Sequence, residues 1–442
     1  MKHDNDTAQN GLQAVFDYHQ ATKHRFDAYA RGPGRLDWAT QPDPFRRYVG
    51  AELIPLQKVR PGDQPCYDAV FNPDSMRSPV PVSARSIAQL FYDSLALSAW
   101  KSTGGTRWAL RVNASSGNLH PTEGYLLCGP VEKLCDTPMV GHYAPKEHAL
   151  EVRATFDTDR WKALSAAFPA STFFVGLSSV YWREAWKYGQ RAFRYCNHDA
   201  GHALAAVSIA AAGLGWRTRL LDDLGGDDLS LLMGTFCAHD AEREEPDMLI
   251  ACMPHQKGTH ETSLSAETVE SFAALDWRGT PNHLSPSHID WGMEGIAQKV
   301  RRPRGPIDYA RLDTPPEPWS LETRAMSLRR VIRQRRSAVD MDGHTRIPRD
   351  TFYRMLYRTL ALPGAVPFST LPWKPHIHLT LFVHRVEDIP QGLYLLLRDP
   401  AQKQKLQAAL TQADPWKKPP GCPDALPLYL LIEADTRAAA RQ

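Results

Sequence analysis

The sequence predicts a chain of mixed helix and strand built around an internal duplication, giving two like domains of unequal length. Three observations carry this. One amphipathic helical pattern occurs twice in the same ungapped register. Short apolar runs bounded by turn residues surround a long segment that is apolar nearly all round. Finally, 43% of the 442 residues are hydrophobic, and a chain of this length buries roughly 75% of its unfolded surface, which leaves ample material for packed interiors.

Residues 1–80 are rich in turns and charge, with ARGPGRLDWATQPDPFRRY at 30–48, and read as an N-terminal arm or cap. From Ser83 the pattern changes. Ile87, Leu90, Phe91, Ser94 and Leu95 recur at helical spacing, so SARSIAQLFYDSLALSAW reads as one amphipathic helix with Ser83 as its N-cap. GYLLCG (124–129), HALEVRA (148–154), STFFVGLSS (171–179) and DMLIACM (247–253) read as strands. Between the last two lie WREAWKYGQRAFRY and NHDAGHALAAVSIAAAGLG, both helical. The second is closed by Gly213 and Gly215, and its apolar girth requires burial in a domain centre or at a subunit interface. These elements make a first domain over 81–256. Pro, His, Ser and charge dominate 257–326, which suits a surface linker, and 327–442 is a partial second domain.

The duplication is visible residue by residue. Setting Leu95-Ala96-Leu97 over Leu360-Ala361-Leu362 places Val82 on Ile347, Ile87 on Phe352, Leu90 on Met355, Phe91 on Leu356 and Tyr92 on Tyr357. Downstream, VEKL (131–134) falls on VEDI (386–389), and Gly141 and Tyr143 fall on Gly392 and Tyr394. Nothing after Leu430-Leu431-Ile432 matches the helices at 180–215.

Composition excludes several classes. With 52 Lys plus Arg against 49 Asp plus Glu the formal charge is only +3, too balanced for a polyanion binder, and the basic run KVRRPRG has no aromatic platform beside it, so no nucleic-acid partner is expected. Seven scattered cysteines without a C-x-x-C pair argue against a disulfide scaffold or structural zinc. MKHDNDTAQNGLQ lacks the apolar core of a signal peptide, and the longest apolar stretch, Ala203 to Leu214, falls short of the roughly 20 residues a spanning helix needs. The expectation is a cytoplasmic protein with no membrane partner.

Four stretches carry candidate chemistry. In NASSGNLHPTEGYL (113–126), Asn113, Ser115, Ser116, Gly117 and Asn118 form a small, hydroxylic loop just before a strand, where backbone N–H groups can approach a flat polar ring or a phosphate; a plain turn is the alternative. In RQRRSAVDMDG (333–343), Arg335, Arg336 and Ser337 offer two guanidinium forks and a hydroxyl to a phosphate monoester, although arginine-rich turns are common. In AWKYG, adjacent Lys187 and Tyr188 can take and hand on a proton if desolvated; an ordinary helix with a snorkelling lysine is the alternative. In HDAGH, His198 and His202 have the i, i+4 spacing of zinc hydrolases. Asp199 stands where those enzymes carry their glutamate, and no third ligand is suggested, so two polar residues facing a ligand or partner fit better.

Taken in this order, these stretches resemble the nitroreductase superfamily of FMN enzymes, most closely its SagB-type dehydrogenase branch. The resemblance covers roughly 80–255, through LALSAW, SSGNLHPTEGYL, GHYAPKEHALEV and AWKYGQRAFRYCNHDAGHALAAVSIAAAGLGW, and HQATKHRFDAYARGPGRLDWATQPDPFRRYVG is similar to the leader of tandem members. It implies an α+β fold, a nitroreductase-like mixed sheet wrapped by helices, with FMN held between two subunits. In such dimers an Arg-Arg-Ser turn from one side takes the phosphate and a Ser-Ser-x-Asn loop from the other lies against the ring.

Here the two motifs stand on different repeats. Arg335, Arg336 and Ser337 align with Val70, Phe71 and Asn72, and the loop falls near FSTLPW (368–373). The resemblance therefore implies an intramolecular pseudo-dimer with one composite FMN site, and homo-oligomers are open. It assigns proton removal to Lys187 and Tyr188. Branch members oxidise peptide azoline rings to azoles, so a peptide-derived substrate is one candidate and a quinone, nitro compound or other small molecule another. The second copy lacks the helices and Gly-rich turn that complete the phosphate side in the family. This leaves open a truncated chain, a wall supplied by another chain, or a non-catalytic scaffold. A zinc hydrolase built on His198 and His202 is the remaining class.

Overall fold

The polar N-terminus forms a helix, α1 (Lys2–Thr22), whose Tyr18 ring meets Phe193 edge-on at 5.3 Å while its hydroxyl donates to the Gln190 carbonyl. This is a computed structural model, and it describes all residues except 1, 26, 60, 61, 63, 73–76, 238–241, 255–262, 310, 311, 313–318, 320–325, 411–415 and 442. The chain divides into two units: 1–63, 77–307 and 332–334 form the first, and 64–76, 308–331 and 335–442 the second.

In the first unit, β1 (Tyr48–Val49) and β2 (Glu52–Pro55) precede α2 (Ala84–Ser94). Ser83 caps α2 as expected, in a reciprocal pairing with Ser86. The helix ends at Ser94, however, and after a turn at Leu95 and Ala96 the rest of the expected helix belongs to a hairpin, β3 (Leu97–Thr103) and β4 (Thr106–Arg111). The reason is the Gly104-Gly105 pair, both at positive φ, which closes a two-residue turn that a continuing helix could not accommodate.

There follow β5 (Thr122–Cys128), β6 (Met139–Ala144), β7 (Ala149–Thr155), α3 (Thr158–Ser165), β8 (Phe173–Val180), α4 (Tyr181–Tyr188), α5 (Ala192–Gly213), β9 (Arg217–Leu220), α6 (Gly226–Met233), β10 (Glu244–Met253), α7 (Ala266–Glu270), β11 (Thr280–Pro281) and α8 (Met293–Val300). The stretch expected to be a linker thus holds α7, β11 and α8; part of it, 257–262 and most of 310–325, lies outside the described residues.

The main sheet has seven strands in the order β2-β7-β6-β5-β8-β10-β9. The α+β expectation holds, with a sheet flanked by helices; every adjacent pair runs antiparallel, so the mixture is of helices with strands and not of strand directions. β5, β6 and β7 follow one another through short connections, which antiparallel pairing allows. Side chains alternate across β5 and β8. Tyr125, Leu127 and Phe174 join a core with Leu164 of α3, Leu229 and Met233 of α6 and Val269 of α7. α5 contacts β8, β9 and α2.

Residues 46–48 belong to this core. Arg46 Nε lies 3.4 Å from Glu244, Arg47 Nε donates to Glu151 at 2.6 Å, and the Tyr48 N–H donates to Glu151 at 2.9 Å. Tyr48, Tyr125 and Ser178 hydroxyls all donate to the Glu244 carboxylate. Beside them His142 is fixed between Glu151 and Glu123, and Glu123 also takes Arg183.

Helix α9 (Leu328–Gln334) is divided between the units, 328–331 belonging to the second and 332–334 to the first. The second unit then contains α10 (Arg349–Tyr357), β12 (Leu379–Val383), β13 (Gly392–Leu396), α11 (Lys403–Ala409), β14 (Leu428–Glu433) and α12 (Arg437–Arg441). Phe352, Leu356 and Tyr357 pack with Tyr394, Leu396 and Leu428. α10 begins at the position matched to the first residue of α2, and the β12–β13 hairpin matches β5–β6.

The copies diverge in two ways. Leu90 is 1% exposed and its counterpart Met355 is 55% exposed, because α2 is flanked by α5 and, among the described residues, the second unit has no such helix. In the first unit the strand after α3 pairs with β5, whereas β14 pairs with β13. Among the described residues no strand equivalent to β7 stands in the second unit, and β14 fills that edge.

Candidate functional site

Helix α4 explains why its two chemical residues are presented together. Trp182, Ala185 and Trp186 sink into an apolar cluster with Leu119, Leu284 and Met293, which leaves Lys187 and Tyr188, at the end of the helix, only half-buried. Tyr188 packs on Tyr195 at 4.4 Å, and Lys187 Nζ lies 5.5 Å from the Tyr188 ring. Burial first, then Glu184, Tyr195 and Asp199, push the Tyr188 hydroxyl up to about 12, so at neutral pH it is a proton donor.

The loop before β5 comes to the same place. Gly117 and Asn118 both have positive φ, 59° and 62°, and a Cβ on Gly117 would stand 2.6 Å from Tyr188 Oη and 3.0 Å from Lys187 Nζ. Glycine is therefore favoured by backbone conformation, and it lets Lys187 and Tyr188 approach the loop closely. Asp199 of α5 ties the loop down: its carboxylate accepts from the Ser116 N–H at 3.0 Å and from Ser116 Oγ at 3.0 Å. Ser115 Oγ accepts from the His120 N–H, and Asn118 donates to the Ala109 carbonyl while its oxygen meets His120 Nε2. Asn118 thus holds the loop. Asn113 Oδ1 is buried without a hydrogen-bond partner and is a free acceptor.

Beside Gly117 and Asn118 opens a cavity of about 560 Å³ lined by Trp38, Phe45, Trp100 and Trp108. Arg107 stacks over Trp100 at 4.2 Å. Such walls suit a flat, largely uncharged molecule.

The expected site residues are therefore placed in two groups. Asn113, Ser115, Ser116, Gly117 and Asn118 share a loop, and its Gly117 meets Lys187 and Tyr188 in the first unit. Arg335, Arg336 and Ser337 lie in the second, exposed, just past the end of α9; the Arg335 N–H donates to the Val331 carbonyl at 2.8 Å and Arg336 to the Arg335 carbonyl at 2.6 Å. Val70 and Phe71, aligned with the arginines, are buried apolar residues. His198 and His202 are exposed, and no group of three metal-ligating residues occurs among the described residues.

Sequence reasoning missed Glu184. It is fully buried on α4, and neither carboxyl oxygen has a hydrogen-bond donor in reach. The available signal is its position three and four residues before Lys187 and Tyr188, one helical turn away.

No family model matches the chain, and no curated protein matches it in sequence. Among solved structures it is similar to a protein of Anabaena variabilis classed as a nitroreductase, at 19% identity over 96% of this chain and 80% of that one, with a TM-score of 0.58. It is similar over smaller parts to a chain of the E. coli microcin synthetase McbBCD complex (17% identity, 55% of this chain and 82% of that one, TM-score 0.33). A Ralstonia eutropha protein also classed as a nitroreductase shows 16% identity over 53% of this chain and 100% of that one, with a TM-score of 0.34. The first of these likenesses, which runs through nearly the whole chain, shows that the fold is nitroreductase-like.

Proposed function

We propose that the chain is an FMN-dependent oxidoreductase, moving a hydride between flavin N5 and a small organic or peptide-derived substrate. The observation that carries this is the meeting of an open, glycine-based loop with a lysine and a protonated tyrosine. The residues fit the cofactor. The absence of a side chain at Gly117 brings the loop backbone close to Lys187 and Tyr188, and Asn113 Oδ1 is an unpartnered buried acceptor of the kind a ring N–H satisfies. Arg335, Arg336 and Ser337 are proposed for the phosphate on the chemistry of two guanidinium groups and a hydroxyl.

FMN, when bound, supplies the redox chemistry. Within the chain, Asp199 fixes the loop through Ser116, and the aromatic walls of the cavity orient a flat substrate. Lys187 and Tyr188 are assigned to handling the proton that substrate oxidation releases, and Tyr188, protonated at neutral pH, donates a hydrogen bond to the reacting group. The electrostatic contribution of the site is to make proton removal easy where charge develops.

A second reading, a nitroreductase-fold scaffold without turnover, is favoured by the second unit, which among its described residues lacks counterparts of α4 and α5. Titration of the purified chain with FMN, followed by visible absorption before and after a reductant, separates the two. Retained flavin that bleaches supports the oxidoreductase; a chain that retains no flavin is the scaffold.

A further inference from the structure

Two carboxyl groups lie fully buried behind the Gly117 loop, Glu184 on α4 and Asp199 on α5. Asp199 accepts hydrogen bonds from Ser116, through both the N–H and the hydroxyl. These bonds need an acceptor and therefore favour its ionised form. Glu184 has the opposite surroundings: both of its oxygens are buried and receive no hydrogen bond. α4 and α5 pack on one another, and Asp199 acts directly on Glu184 across that contact; two buried carboxylates so placed cannot both stay charged without a strong counter-charge, because desolvation and mutual repulsion act together.

The counter-charges present are few. His202 lies 4.0 Å from Asp199 on its solvent side, and Lys187 lies on the same helix as Glu184 without forming an ion pair. Arg183, the residue before Glu184 on α4, is held by Glu123 and by the carbonyls of His120 and Asp43. The His198 ring, beside Asp199 in sequence, is held toward its neutral form by burial and Arg194 against the pull of Asp199, and Tyr188 and the Cys196 thiol are both pushed up by burial and by these same acids, and so stay neutral.

We propose that Glu184 and Asp199 carry one proton between them, resident on Glu184, and that this singly charged pair clamps the Ser116-Gly117 loop against Lys187 and Tyr188. The direction of each group agrees. Burial and then Asp199 hold the Glu184 proton well above the usual carboxyl range, and burial raises Asp199 against the opposing pull of Ser115 and Ser116. Glu184 is thus a positioning residue. Losing its proton at high pH places two charges behind the loop and drives Asp199 from Ser116; protonating Asp199 at low pH removes the acceptor. The clamp holds only in the window between. That the clamped loop serves a flavin rests on the function proposed above, whereas the clamp itself does not.

The test uses the full chain without added flavin. Infrared spectroscopy across a pH titration should show a protonated buried carboxylic acid at neutral pH, absent from Glu184→Gln. Amide exchange measured over residues 113–119 should quicken roughly tenfold, as for one lost charged hydrogen bond, at the alkaline pH where that infrared signal disappears. Glu184→Gln, which mimics the protonated acid, should keep the loop protected there, and Asp199→Asn should leave it unprotected throughout. An infrared signal that persists in Glu184→Gln, or alkaline exchange identical in both proteins, overturns the proposal. Should Glu184→Gln fail to fold, the wild-type chain still decides it: infrared and exchange midpoints that differ in pH also overturn it.

Discussion

Lys133 and Asp388 adopt the same left-handed backbone, φ 64° and 54°, at matched positions of the two copies. Each is the third residue of its four-residue turn, VEKL or VEDI. Backbone handedness here survives where the side chains have diverged, which is stronger evidence of duplication than the letters alone.

Glycine at either position removes the steric cost of a left-handed residue, about 1–2 kcal/mol, less the extra freedom glycine gives the unfolded chain. Because aspartate tolerates this conformation better than lysine, Lys133→Gly should stabilise by roughly 1 kcal/mol and Asp388→Gly by less. Thermal unfolding checks the order; destabilisation by Lys133→Gly would contradict it.

His142 sets a pH limit. Burial favours the neutral ring, but Glu123 and Glu151 outweigh it and raise the pKa from 6.5 to about 9. Since the folded value lies above the unfolded one, the contribution is complete below pH about 6.5 and is lost as pH rises through about 9. Its size is on the order of 3 kcal/mol. Denaturant unfolding of the wild type should weaken across that interval, and His142→Gln should be weaker at the acid end with a flatter alkaline limb. A wild-type profile that is flat there would remove the imidazolium from the account.

Gly117→Ala forces a Cβ within 2.6 Å of Tyr188 Oη at a φ of 59°. The loop or the tyrosine must move, at a cost of roughly 1–2 kcal/mol. We expect a lower melting temperature together with weakened FMN binding, read by calorimetry and fluorescence titration.

Arg336→Ala should weaken FMN binding by about 2 kcal/mol through loss of a charged hydrogen bond. Unchanged affinity, measured by isothermal titration, would take the Arg335–Ser337 turn out of the site.

Lys187→Ala should leave flavin bound and slow its reduction by substrate about 10²-fold or more, the typical worth of a positioned base. Stopped-flow bleaching at the wild-type rate would assign the proton to another group.

Periodicity revealed α5, the four strand cores and the repeated helix, because each is long or repetitive enough for one pattern to dominate. It failed at Leu97–Thr103, where the apolar run fits helix and strand alike and only the Gly104-Gly105 turn decides. Within the site, Ser116, Lys187 and Tyr188 stood out as local motifs. Their meeting was not legible, since it depends on how α4 and α5 pack beside the loop. Glu184 was invisible for a different reason: a glutamate on a helix reads as a solvated residue until burial is known.

The contacts of residues 46–48 bear on how this domain can be inherited. A chain starting at Ser83 would keep Glu151 and Glu244 on their strands while discarding Arg46, Arg47 and Tyr48, which pair with them. Breaking a buried ion pair from one side costs about 3–5 kcal/mol, a large share of a domain's total stability. The portion that bears the site motifs is therefore not a cassette: any excision, fusion or recombination that separates it from the preceding segment should yield an insoluble product.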